Sequence, residues 1–172
     1  MTKAELKQTL QKVAETTERL FKEEGSINPV LFVYYTFEKE GRETDTCAIF
    51  PILDIQHREA ILFMIGKTFL KSNKFKRVNA IVFASEGWMS VQDAKTPVGN
   101  ILPSQDPNRI EILNITGMTE TRDAVMLVFE IKNKDDLKNR KLKKNEKASN
   151  MSKIENRLLD KFWLGMGMVV RA

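Results

Sequence analysis

Glu86, Asp106 and Glu111 are the carboxylates of this chain whose surroundings suggest chemistry. Glu86 belongs to the run Ser85, Glu86, Gly87, Trp88, Met89, which cuts off the β-forming stretch Ile81, Val82 and Phe83. Asp106 and Glu111 lie in PSQDPNRIE, with Ser104 and Arg109 beside them. Carboxylates near an arginine can position a polar ligand, hold a divalent cation or move protons. The spacing singles out none of these. The plainer reading is structural. Glu86 and Arg109 pair across a hairpin, Asp106-Pro107 shapes a turn, and Trp88 covers the sheet edge. Ser85, Glu86, Trp88, Asp106 and Arg109 therefore stand as candidates for a ligand- or partner-binding cluster, and no residue is assigned a catalytic role.

Other reactive groups are few. His57 is the only histidine and Cys47 the only cysteine, too few for a Cys/His zinc site. Cys47 falls in an expected strand and reads as a small core residue. His57 reads as a helix-end or surface residue. There is no P-loop, no G-x-G-x-x-G and no nucleophile elbow. No metal and no cofactor is expected, and the balance leans against an enzyme.

Charge is localised. The net charge is +5, and residues 132–147 (KNKDDLKNRKLKKNEK) hold eight basic and three acidic residues. The remaining 20 basic and 20 acidic residues balance. A polyanion such as a nucleic acid would meet this segment, through Lys138, Arg140, Lys141, Lys143 and Lys144. It has no interleaved aromatic residue, and Asp135, Asp136 and Glu146 blunt the attraction. A solvated linker is the simpler reading.

At 172 residues the chain fits one domain, or one domain with an appendage. A single cysteine, charges in the first ten residues and no apolar run near the ~20 residues of a bilayer span point to a cytoplasmic protein without membrane association.

Elements must carry these residues. Thr2 and Glu5 have capping-box spacing, Leu6, Leu10, Val13, Leu20 and Phe21 fall on one face, and Gly25 stops a first helix. Residues 29–37 read as a strand buried on both faces. They form a hairpin with residues 46–52. Asp54 caps a second helix to about Ser72, apolar on most sides and so deeply buried. Strands follow at 77–84, 109–116 and 123–131, with Gly117 to Thr121 as a turn. A loop spans 87–108, long enough to be functional. Ser152 and Glu155 cap a last helix whose stripe is Ile154, Leu158, Leu159, Phe162 and Trp163. An apolar, glycine-broken tail with Met166 and Met168 ends the sequence.

The order α-β-β-α-β-β-β-α gives an α+β domain built on a five-stranded, mostly antiparallel sheet. It divides into an α+β domain at 1–131, a basic connector at 132–149, and a C-terminal helix and tail at 150–172. The order is similar to roadblock-like and profilin-like sheets, folds that host binding and assembly roles as readily as chemistry. The pattern Ser85-Glu86-x-Trp88-Met89, then Pro103-Ser104-x-Asp106-Pro107-x-Arg109-x-Glu111, resembles a group of uncharacterised microbial and phage proteins. That resemblance covers only the central hairpin and implies a structural unit without a reaction. Taken together, the expected function is a non-catalytic cytoplasmic interaction or regulatory module. The alternatives are nucleic-acid binding at 132–147 and an enzyme at the hairpin end. The last helix is expected to dock on its own sheet or on a protein partner, a homodimer being the close rival.

Overall fold

A computed structural model of the chain describes residues 1–72, 75–90, 105–133, 136, 139–149 and 157–168. It is an α+β fold whose described strands form one antiparallel sheet in the order β2-β1-β3-β4-β5-β6. The strands are β1 (Val30–Lys39), β2 (Arg42–Pro51), β3 (Phe75–Met89), β4 (Ile110–Thr119), β5 (Ala124–Lys132) and β6 (Lys141–Lys144). The sixth strand corrects the expected five. It lies inside the basic segment, where Leu142 alone signals a buried side and pairs with Ile131.

The first helix, α1 (Lys3–Glu24), is set by its ends. Thr2 and Glu5 make a complete capping box, and Gly25 closes the helix in the left-handed region, φ 75°. Leu6, Leu10, Val13, Ala14, Thr17 and Phe21 are buried. Leu20, expected on that face, is exposed. Of the buried residues, Leu6, Leu10, Val13 and Ala14 share one core with Ala80, Val82, Ala84, Leu113 and Ile115, and each large side chain contributes roughly 1.5–3 kcal/mol. Gly117 belongs to β4, not to a turn. A Cβ there would lie 2.5 Å from Leu10 Cδ1 and 2.9 Å from Leu6 Cδ1, so its bareness lets the helix approach.

The β1–β2 hairpin turns on Glu40 and Gly41, both at positive φ (54° and 75°), as a two-residue turn matching strand twist requires. Strand β1 alternates between buried and half-buried residues, so it is not closed on both faces. Cys47 is exposed on the edge strand, where a core residue was expected. Its thiol lies partly buried beside Tyr34, and that burial pushes it above its ordinary range.

The opposite face carries α2 (Arg58–Lys71) and α4 (Arg157–Gly165) over Leu31, Val33, Ile81 and Phe83; between them in the chain, α3 (Glu146–Ser149) is a single turn after β6. Helix α2 starts at Arg58, and Asp54 instead accepts from the backbone N–H of His57. Only Leu62, Gly66 and Phe69 of α2 are buried. Phe63, Met64 and Leu70 are exposed, which corrects the expected deep burial. Ile154 and the expected Ser152–Glu155 cap lie outside the described residues. Leu159, Phe162 and Trp163 of α4 are fully buried on this chain's own core. The two helices meet at glycines. A Cβ on Gly66 would lie 2.1 Å from Phe162 O, and one on Gly165 would lie 2.1 Å from Phe63 O. Arg122, in the β4–β5 turn at φ 68°, ties α4 to the sheet through Asp160 at 2.7 Å. No helix among the described residues is long and apolar enough to cross a membrane.

Candidate functional site at the end of the central hairpin

The polar run Ser85 to Met89 does not end β3. It continues the strand in register with β4, Ser85 opposite Asn114, Glu86 opposite Leu113 and Trp88 opposite Glu111. Alternation then separates the candidates. Glu86 and Trp88 share the α1 face with the core residues Ala80, Val82 and Ala84, whereas Ser85 and Gly87 lie on the other face.

Glu86 does not pair with Arg109 as expected. Its Oε1 accepts from the backbone N–H of Ile27 at 2.6 Å, and its Oε2 lies 3.3 Å from Arg140 Nη2. Arg140 also lies 3.1 Å from Glu111 Oε1, donates to the carbonyl oxygen of Gly25, and stands over the Phe21 ring at 5.2 Å. One guanidinium thus joins the end of α1 to β3, β4 and the start of β6. Its side chain is 6% exposed and those of Glu86 and Glu111 are 20% and 18%. Among the described residues, buried Arg140 Nε has no hydrogen-bond partner. Two carboxylates, those of Glu86 and Glu111, share this one cation.

Trp88 and Arg109 sit outside this buried group. Trp88 is 41% exposed, and the Arg109 guanidinium lies 4.6 Å from its ring centroid, a cation–π arrangement. Asp106 shapes the approach to β4. Its Oδ1 accepts from Asn108 N–H at 2.8 Å, its backbone oxygen accepts from Arg109 N–H at 3.1 Å, and its other carboxylate oxygen accepts from Ser90. The Ser90 bond, then the Asn108 bond, holds the Asp106 carboxyl below its ordinary range. Ser104 lies outside the described residues.

The described basic candidates differ in their surroundings. Arg140 is buried and Lys138 lies outside the described residues. Lys141 and Lys143 alternate with Leu142, whose side faces the α1 core. Lys144 pairs with Glu146 at 2.9 Å and borders a cleft of about 570 Å³ that Lys3 and Lys7 also line. Among the described residues no group of three or more His, Cys, Asp or Glu is placed to hold a metal ion. His57 is exposed, its ring bonded to Asp54 at 2.8 Å.

Sequence reasoning missed the role of Arg140. A signal was present, since it is the only arginine among the lysines of 132–147, and a planar guanidinium is the cation suited to buried, multiply bonded sites. No family model matches the chain, and no curated protein or solved structure matches it either.

Proposed function

We propose that the chain is a non-catalytic, cytoplasmic interaction module that receives a partner protein at the Trp88–Arg109 end of its sheet. The observation that carries this reading is the 41% exposure of Trp88 on a central strand. Large aromatic side chains on rigid elements are favoured anchors, and tryptophan and arginine are enriched where binding energy concentrates. The buried Arg140 group beneath fixes the strand ends, so little order has to be gained on docking.

A photo-crosslinking amino acid at position 88, compared with one at the exposed Lys39, tests the reading in cells. Adducts to a defined protein at position 88, weakened by Arg109→Ala and missing at position 39, support it. The same adducts at both positions, or none at position 88, overturn it.

A further inference from the structure

The two edges of the sheet are built differently. Strand β6 is four residues long and three are lysines, the usual way of making an edge unattractive to another strand. Strand β2 is ten residues long and pairs with β1 without a register shift. Its charged residues, Arg42, Glu43 and Asp45, all lie in the first half, and residues 46–50 (TCAIF) are uncharged and unbulged. Ile49 is 61% exposed, and Leu53 just beyond is 80% exposed. Among the described residues no element pairs with the outer edge of β2.

The backbone direction follows from one bond. Ile52 N–H donates to Pro29 O at 2.8 Å, toward β1. The unbroken register carries the alternation back along the strand, so the N–H groups of Phe50, Ala48 and Thr46 also point to β1. Those of Ile49 and Cys47 point outward.

The geometry points to a second copy of this chain as the occupant of that edge, docked by antiparallel β2–β2 pairing about a twofold axis at Ala48. This inference stands apart from the Trp88 reading. In that register Cys47 faces Ile49 of the second copy, and both present outward N–H and C=O groups, the requirement for a hydrogen-bonded antiparallel pair. Thr46 meets Phe50, the small Ala48 meets itself, and Asp45 meets Pro51. No charge opposes a like charge. Beyond the strand, Glu43 comes toward Leu53, and Arg42 toward Asp54, of opposite sign. A twofold arrangement repeats each contact, as closed homodimers do.

Light scattering on the intact chain tests this. The wild type should show twice the 19.8 kDa chain mass, and Ile49→Lys should show the single mass with unchanged circular dichroism. Leu53→Glu would place a like charge against Glu43 and weaken the dimer by roughly tenfold, whereas Leu53→Lys would not weaken it. Trp88→Ala should leave the dimer intact, so a failed crosslink at Trp88 and a failed dimer are separate results. A single-mass wild type at about 100 µM, a dimer surviving Ile49→Lys, or equal weakening by both Leu53 variants overturns the proposal.

Discussion

Arg140 donates to the carbonyl oxygen of Gly25, a residue 115 positions earlier in the chain. That carbonyl lies just past the end of α1, where helix carbonyls lack intrahelical partners. The bond therefore closes the helix end and, through the same guanidinium, neutralises part of the charge on Glu86 and Glu111.

Removing that guanidinium leaves two mostly buried carboxylates without their cation. Arg140→Met is expected to lower stability by roughly 3 kcal/mol, in the range for breaking a buried ion pair from one side. Arg140→Lys should recover only part of the loss, because an ammonium cannot span Gly25, Glu86 and Glu111 as a planar fork does. Urea unfolding measures both. A loss below about 1 kcal/mol for Arg140→Met would mean the group is not structural.

The glycines give a graded series. Gly165→Ala and Gly66→Ala drive a Cβ into a backbone carbonyl at 2.1 Å, so the α2–α4 crossing must open. Each is expected to cost roughly 2–4 kcal/mol, or about 5–10 °C in melting temperature for a chain of this size. Gly117→Ala meets the mobile ends of Leu10 and Leu6 and should cost about 1–2 kcal/mol. Gly87→Ala meets nothing within 4 Å and should stay within about 0.5 kcal/mol of wild type. Calorimetry giving Gly87→Ala the larger loss would contradict this packing.

The features legible in the sequence are those set by neighbours along the chain. The Thr2–Glu5 capping box, Gly25 and the stripe of Leu159, Phe162 and Trp163 need only local spacing. What was not legible depends on distant contacts. Leu142 becomes a strand residue only because Ile131 and the α1 core lie beside it. Gly117 looked like a turn because the nearby Leu6 and Leu10 are more than a hundred residues away in sequence. Helix α2 is apolar nearly all round, so its pattern hid which side would face Gly165 and which would face solvent. At the candidate site the residue types were visible but not their partners. Glu86 found Arg140 rather than Arg109, since alternation and register decide which side chains meet.

Acid should weaken the approach to β4. The Asp106 carboxyl is held below its ordinary range by Ser90 and Asn108. A depressed carboxylate adds stability that is fully present above its unfolded pKa and is lost as pH falls through the folded one. The wild type should thus lose this contribution in the acid range below about pH 4, and Asp106→Asn should flatten that part of the profile. A carbon-detected NMR titration of Asp106 checks the sign directly. A midpoint above the ordinary aspartate range would reverse it.

The basic segment is expected not to retain nucleic acid. Its arginine is buried at Gly25, Lys144 is paired with Glu146, and Lys132 with Glu130. Binding to a duplex draws on cations free to replace condensed counterions, and affinity falls with salt in proportion to their number. Lys141 and Lys143 alternate away from the side that Leu142 buries, so among the described residues few such contacts are expected at once. A gel shift with a duplex of about 20 base pairs at low salt should show no complex, and Lys141→Gln with Lys143→Gln and Lys144→Gln should behave as the wild type. A shifted band that the triple variant abolishes, with a salt slope falling accordingly, would establish the nucleic-acid reading in place of this one.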